Sequence, residues 1–219
     1  MVITWYGQSC FRIQSGELVV ITDPFSKEIG LRPPAGQADV VTISHEHADH
    51  NNREAIKGEP FIADGPGEYS LKGADIIGIQ STHETKSGEG KGANTIFVID
   101  IEDIRVCHLG DQGKLLTNEQ LEQIHNVDIL FVPIGGTYTL NTEEALEVIG
   151  QLEPKVIIPM HYAFEEFKAV KGCLPLETVD KFAKEIGCKK ENMNVGKVTL
   201  KKKNLEEMSG EAFVMGLTA

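Results

Sequence analysis

The sequence predicts an α/β (α+β) protein built as a four-layer αββα sandwich. Short apolar runs typical of strands alternate with amphipathic helical segments, and they do so in two halves of the chain. No linker or low-complexity segment separates these halves. A length of 219 residues fits one large domain with an ample core, so we expect a single domain over residues 1–219.

The first half begins with short strands joined by tight turns. Apolar, β-branched runs predict strands over residues 2–6, 10–13, 18–22 and 38–43. Residues 60–63 and 74–79 are further expected strands, and they flank a Gly-Pro-Gly corner at residues 65–67. Residues 53–57 predict a short helix. Glu68, just beyond the corner, is expected to be exposed.

The second half combines strands with amphipathic helices. Strands are expected over residues 95–101, 104–109, 128–134 and 155–160, and helices over residues 117–125, 142–152 and 176–186. Thr117 and Gln120 have the spacing of a capping box, and His125 is expected to interact with the dipole at the end of that helix. The remaining segments predict an edge strand over residues 195–203 and a last short strand over residues 211–217.

The composition restricts the partners and the compartment. A net charge of −12 argues against a broad nucleic-acid-binding face, which needs basic residues, but divalent cations would make a pocket attractive to a small anionic substrate. The four cysteines form no C-x-x-C pair, which indicates free thiols in a reducing compartment. With no signal-peptide pattern and no long apolar stretch, we expect a cytoplasmic protein without membrane insertion.

Side chains that bind metals cluster directly after the strand of residues 38–43. They are His45, His47, Asp49 and His50. A tight loop can turn His45 and His47 toward one point while Asp49 and His50 reach a second point nearby. Imidazoles and a carboxylate suit zinc, and also iron, manganese or cobalt, so this loop predicts a metal site rather than an ordinary polar surface.

The run His-Glu-His-Ala-Asp-His at residues 45–50 resembles the His-x-His-x-Asp-His signature of the metallo-β-lactamase superfamily. Matching pieces run from Met1 to about Tyr162. Small stand-alone members, the lactonase-like and phospholipase D-like metal-dependent hydrolases, are the more similar branch. The resemblance implies the metallo-β-lactamase fold and two divalent metal ions, with Zn²⁺ expected and Mn²⁺ or Fe²⁺ as alternatives.

The resemblance also implies the rest of the ligand set. His83 is similar to the third ligand of the first ion, Asp111 to the carboxylate that bridges both ions, and His161 to the last ligand of the second ion. The implied sets are His45, His47 and His83 for the first ion and Asp49, His50 and His161 for the second, with Asp111 shared.

Three further residues are candidates around this site. By resemblance, Asp23 would support the metal-binding loop by holding the outer nitrogen of a ligand histidine, and an ordinary Asp-Pro turn is the alternative. Tyr138 follows two glycines and would contact substrate, unless this segment is only a turn between strand and helix. Lys91, in the glycine-rich residues 87–94, would meet an anionic group, although this loop lacks a Walker sequence. His108 is expected to pack or to support the site rather than to bind metal.

The resemblance implies a metal-dependent hydrolase that cleaves an ester, lactone or phosphodiester bond of a small molecule. Two metal ions would activate a shared water as hydroxide, and Asp49 would orient it and carry its proton to the leaving group. The sequence contains no Gly-x-Ser-x-Gly motif, which argues against a serine hydrolase. The alternatives are a mononuclear iron dioxygenase and a non-catalytic metal-binding protein on the same fold.

Overall fold

The computed structural model describes residues 1–84, 90–168 and 175–218. Strands of the first half are β1 (Val2–Gly7), β2 (Cys10–Ser15), β3 (Leu18–Thr22), β4 (Gly36–Gln37), β5 (Val40–Thr42), β6 (Ile56–Lys57) and β7 (Phe61–Ala63). The second half begins with β8 (Gly67–Leu71), β9 (Ala74–Glu84), β10 (Gly90–Ile101) and β11 (Ile104–His108). It continues with α1 (Asn118–Ile124), β12 (Ile129–Pro133), α2 (Thr142–Leu152), β13 (Val156–Met160), α3 (Glu165–Lys168), α4 (Val179–Glu185), β14 (Val198–Thr199), α5 (Lys202–Leu205) and β15 (Glu211–Ala212).

The first sheet has the spatial order β14-β1-β2-β3-β5-β7. Its strands β1, β2 and β3 form an antiparallel meander, whereas β3, β5 and β7 run parallel to one another. The carboxyl ends of β3 and β5 are therefore neighbours. This arrangement places the residue after β3, Asp23, beside the loop that follows β5.

The second sheet has the order β15-β13-β12-β11-β10-β9-β8. The strands β11, β12 and β13 are parallel, and β9 and β11 are both antiparallel to the strand between them, β10. Consequently β9, β11, β12 and β13 all end at the same edge of the sheet. Every residue of β12 and β13 is buried, as expected for parallel strands covered on both faces.

One apolar core joins the two sheets. Phe11 of the first sheet stacks on Phe131 of the second with ring centroids 4.2 Å apart, and Trp5 stacks on Tyr162 at 5.2 Å. The largest cluster of buried residues contains side chains from both sheets and from α2. The predicted α/β sandwich is confirmed by this arrangement.

The outer face of the first sheet is covered differently from that of the second. Its apolar cluster includes Cys10, Ile21 and Val41 of the strands, together with Phe25 from a loop and Ile56 from β6. Among the described residues, no α-helix contributes to this cluster. The outer layer on this side therefore consists of irregular segments, short 3₁₀ turns and the two-stranded sheet β4–β6.

Some of the predicted elements were wrong. Residues 53–57 form a single 3₁₀ turn and then β6, because Asn52 provides no side-chain cap and Ile56 pairs with Gly36. The helix predicted from residue 176 begins only at Val179, since the backbone of Glu177 is held by Gly135 and Ala163. The Gly-Pro-Gly segment is followed directly by β8, a strand that was not predicted. The edge strand predicted over residues 195–203 shortens to β14 and is followed by α5, and the last strand predicted over residues 211–217 shortens to β15.

Other sequence predictions agree with the structure. The capping box of α1 is present between Thr117 and Gln120. Cys10 and Cys107 are buried free thiols, and Cys173 lies outside the described residues. None of the described helices is long and apolar enough to cross a membrane, and the cytoplasmic location stays a prediction.

Candidate metal centre

The loop after β5 is anchored by Asp23. The Oδ1 atom of Asp23 accepts a hydrogen bond from the Ser44 backbone N–H at 2.7 Å, and its Oδ2 atom accepts from the Ser44 hydroxyl at 2.6 Å. The same Oδ2 atom lies 2.8 Å from Nδ1 of His50. Because Asp23 is fully buried, these contacts fix both the start and the end of the loop that carries the candidate ligands.

The candidate ligand atoms form three compact groups in which all atoms lie within 4.8 Å of one another. Two of these groups coincide with the two ligand sets implied by the resemblance to the superfamily. The three groups are His45, His47 and His83; Asp49, His50 and His161; and His45, His50 and Asp111.

Asp111 lies between the two ligand sets. Its Oδ2 atom is 3.2 Å from Nε2 of His83 and 3.7 Å from Nε2 of His45, both in the first set. The same atom is 3.4 Å from Nε2 of His50 and 3.4 Å from Nε2 of His161, both in the second set. A single carboxylate therefore faces both groups, which is the position a bridging ligand needs.

Several ligand histidines have their outer ring nitrogen held by hydrogen bonds. Because the Ser44 hydroxyl donates to Asp23, its oxygen accepts from Nδ1–H of His45 at 3.0 Å. Nδ1–H of His50 donates to Asp23, and Nδ1–H of His83 donates to the backbone carbonyl of Tyr138 at 2.8 Å. These bonds select the tautomer whose Nε2 lone pair points into the site, as metal-ligating histidines require.

The turn that carries Asp111 is packed tightly against Ser44. Gly110 has φ +57°, and a Cβ atom there would meet the side-chain oxygen of Asn94 and lie 2.7 Å from Cβ of Ser44. Asn94 accepts from the Asp111 backbone N–H at 3.0 Å and donates to the Leu109 carbonyl at 2.9 Å. Asn94 and Ser44 thus position the site. No motif in the sequence indicates a role for either residue, although Ser44 directly precedes His45.

The buried charges at the site determine one another. Burial lowers the pKa of His45 to about 3, and His50 contributes to the decrease. Burial also acts to lower the pKa of His50, but the carboxylates of Asp111, Asp49 and Asp23 raise it well above the ordinary value. Burial alone would raise the pKa of Asp49 and of Asp111, yet the neighbouring histidines hold both values far below the usual range. Both carboxylates are therefore ionised at neutral pH.

Polar atoms at this site are buried without a hydrogen-bond partner among the described residues. They include Nε2 of His50, Nε2 of His161 and Oδ1 of Asp111. Buried polar atoms are normally paired, so these three unpaired atoms, all of candidate ligand residues, need another partner. Imidazole nitrogens and carboxylate oxygens are suitable ligands for Zn²⁺, Mn²⁺ or Fe²⁺, and the residues present fit such ions.

A cavity of about 260 Å³ opens onto these groups. Tyr138 and Thr137 form part of its wall, together with His47, Ala48, Asp49, His83, Asp111 and His161. Tyr138 has φ +61° and His161 has φ +52°, which are strained values for non-glycine residues and are common near functional sites. The side chain of Lys91, the other predicted substrate contact, lies outside the described residues.

His108 and His125 belong to neither of the two ligand sets. His108 is fully buried against Phe11 and Phe131; its Nε2–H donates to the Ser9 carbonyl at 2.8 Å, and its Nδ1 accepts from the Gly110 backbone N–H. His125 is exposed at the end of α1, where it contacts Arg105. Glu68 is exposed in β8.

Two facing sheets with a histidine-rich ligand cluster at their shared edge define a metal-binding α/β sandwich. The family model of the beta-lactamase superfamily domain matches residues 2–161, which is most of the chain. The chain therefore belongs to the metallo-β-lactamase superfamily.

Several similar proteins are described as metal-dependent hydrolases. A UPF0173 metal-dependent hydrolase of Pelotomaculum thermopropionicum is 30% identical over an alignment that covers 74% of this chain and 84% of that protein. The corresponding protein of Methanocaldococcus jannaschii is 29% identical with the same coverage. The crystal structure of a Thermotoga maritima protein, described as a proposed Zn-dependent hydrolase of the metallo-beta-lactamase superfamily, is 36% identical and superimposes with a TM-score of 0.79 over 99% of both chains. The predicted fold class is confirmed by this similarity.

Proposed function

We propose that the protein is a metal-dependent hydrolase with a binuclear site that cleaves an ester, lactone or phosphodiester bond of a small molecule. The observation that carries the proposal is the convergence of two three-ligand groups on one buried carboxylate, Asp111. The descriptions of the relatives as metal-dependent hydrolases support it. In the proposal, the first ion is held by His45, His47 and His83, the second by Asp49, His50 and His161, and Asp111 bridges them.

Two divalent ions, with Zn²⁺ as the expected metal, would lower the pKa of bound water and polarise a carbonyl or phosphoryl oxygen. The side chains of the protein supply the remaining functions. Asp111 has only 3% of its side chain exposed and faces four histidines, so its role is to bridge rather than to exchange protons with substrate.

Asp49 is placed to move a proton. Its side chain is 21% exposed, it forms part of the cavity wall, and its Oδ2 atom lies 3.5 Å from Nε2 of His50 and 3.7 Å from Nε2 of His161. Because this carboxylate reaches the cavity wall, in the proposal it accepts the proton of the attacking water and passes it to the leaving group. Orientation of the water by the same carboxylate would follow from this position.

The cavity restricts the substrate. A volume of about 260 Å³ accommodates the reacting part of a small molecule. No lysine or arginine of the described residues lines it, so bound cations would be the main attraction for a negatively charged group. Tyr138, with its backbone carbonyl holding His83 and its side chain in the cavity wall, is the proposed substrate contact.

A substrate screen with a matched pair of variants tests the proposal. The zinc- and manganese-loaded protein is assayed against phosphodiesters, lactones, carboxylic esters and thioesters. Hydrolysis is expected for the wild type and for His125→Ala, whose side chain is exposed and contacts Arg105, and at least a tenfold loss is expected for His83→Ala. Equal activity in both variants would contradict the ligand assignment, and one tightly bound iron with oxygen-dependent turnover would favour the dioxygenase alternative.

A further inference from the structure

His161 differs from the other ligand candidates in how its outer nitrogen is held. The outer nitrogens of His45, His50 and His83 each have a protein partner, which is a hydroxyl, a carboxylate or a backbone carbonyl. Within the described residues, Nδ1 of His161 is fully buried without one. A histidine that binds metal through Nε2 carries a proton on Nδ1, and this proton needs an acceptor.

An acceptor without a partner lies in the chain segment that contacts His161. Oε1 of Gln8 is also buried without a hydrogen-bond partner, and Gln8 is only 1% exposed. The two residues are adjacent through their backbones, because the His161 N–H donates to the Gln8 carbonyl at 3.4 Å. One unpaired donor and one unpaired acceptor of complementary chemistry thus belong to two buried residues whose backbones are in contact.

The backbone of Gln8 is fixed by further contacts. Its carbonyl also accepts from the indole N–H of Trp5 at 2.8 Å, and the next carbonyl, that of Ser9, accepts from Nε2–H of His108. Gln8 has φ +48°, a strained value for a residue with a Cβ atom. These contacts hold the β1–β2 turn in this conformation against the second sheet, where the turn contacts the backbone of His161.

We propose that Gln8 is a positioning residue of the second metal site and that its Oε1 atom accepts the Nδ1 proton of His161 when Nε2 binds metal. This inference rests on the proposed role of His161 as a ligand. It gives the second site two differently supported histidines, because His50 donates to the carboxylate of Asp23 and His161 to a neutral amide. A carboxylate partner increases the donor strength of an imidazole more than an amide does, so Gln8 holds the ring in place without adding a further buried charge.

Two substitutions at Gln8 separate positioning from general packing. Gln8→Met keeps an unbranched side chain of similar length, and hence the same backbone strain, but removes the acceptor. We expect it to weaken zinc binding at the second site tenfold or more with little change at the first. Gln14→Met, in β2 and in contact with Arg12, is the matched control and should bind both ions as the wild type does.

Nuclear magnetic resonance of the histidine ring nitrogens provides a readout that packing alone would not change. In the zinc-loaded wild type, the Nδ1 proton of His161 should appear as a slowly exchanging signal, and Gln8→Glu should shift it downfield because a carboxylate accepts more strongly. An unshifted signal in Gln8→Glu would overturn the inference even if Gln8→Met failed to fold. Wild-type affinity at the second site in folded Gln8→Met would also overturn it while leaving the hydrolase proposal intact. Failure of the wild type to bind a second ion would overturn both.

Discussion

Asp49 and Asp111 are two carboxylates of one site in different surroundings. Asp111 is enclosed by four histidines, whereas Asp49 reaches the cavity wall and keeps a fifth of its side chain exposed. Both are ionised at neutral pH, so their access to substrate, rather than their protonation state, separates their roles. Substitutions of single ligands and of the residues that support them should therefore have different consequences.

Replacing Asp49 with Asn should affect the reaction more than metal binding. Asn keeps the size of the side chain and one acceptor oxygen but cannot carry a proton. We expect metal content to decrease only partly and kcat to decrease on the order of a hundredfold, the usual scale for a lost general acid–base group. Steady-state kinetics on substrates with good and poor leaving groups checks this, because a good leaving group needs little protonation. Equal losses for both substrates at full metal occupancy would limit Asp49 to the role of ligand.

Asp23→Asn should weaken metal binding without removing a ligand. The Asn side chain retains an acceptor for the Ser44 N–H but loses the negative charge beside His50. A decrease in zinc affinity of about 10- to 100-fold is expected at the second site, the range observed when outer partners of metal ligands are changed. Asp75→Asn, exposed in β9 and bonded to Ser70, is the control for competition titrations with a chelator. Unchanged affinity in Asp23→Asn would show that the loop does not depend on this carboxylate.

At the scale of strands and helices, strand direction explains why distant residues meet. The segments after β3 and β5 carry Asp23 and His45, and the carboxyl ends of β9, β11 and β13 carry His83, Asp111 and His161. The amino ends of β9, β11 and β13 lie at the opposite edge of the sheet, where a larger open cleft of about 850 Å³ contains paired charges. There the carboxylate of Asp128 accepts hydrogen bonds from the side chains of Lys155 and Lys202 and from the backbone N–H of Arg105. These charges therefore stabilise the packing of the strands.

Asp128→Asn should lower stability in a manner that depends on pH. Burial acts to raise the pKa of Asp128, but its bonds to Lys155, to the Arg105 N–H and to Lys202 hold it below the ordinary value. A group with a lowered pKa stabilises the fold above its unfolded pKa, near 4, and this contribution is lost as the pH falls through its folded pKa. We expect the variant to lose about 1 kcal/mol at pH 7, because both lysines are partly exposed.

Denaturant unfolding of the wild type and Asp128→Asn between pH 7 and pH 3 measures this effect. The difference between the two free energies of unfolding should shrink toward the acid end. A difference that stayed constant over this range would contradict the assigned charge interaction.

The limits of the sequence analysis also follow from strand pairing. The ligands near residue 47 could be predicted because they are close in sequence. His83, which lies within β9, was assigned only through the resemblance to the superfamily. The contacts of Asn94 with the Asp111 turn and of Gln8 with His161 depend on which strands become neighbours. Nothing in the local pattern specifies those pairings. Likewise, the backbone bonds that delay the start of α4 come from segments distant in sequence.

At the scale of the whole molecule, we propose that residues 1–219 form one domain, because a single apolar core contains residues of both sheets. We therefore expect one cooperative thermal transition for the metal-free protein. Zinc should raise its midpoint, since an ion present at 100 times its dissociation constant adds about 2.7 kcal/mol of stability. Calorimetry with and without a chelator checks both statements. Two separate transitions in the metal-free protein would contradict the single-domain proposal.

The proposed mechanism requires that this site hold two metal ions. Crystals grown with zinc and measured on both sides of the zinc absorption edge test it directly, because anomalous scattering locates each ion. We expect two peaks per chain, one within His45, His47 and His83 and the other within Asp49, His50 and His161, with Asp111 contacting both. A single peak, with the second group empty even under excess zinc, would contradict the binuclear site.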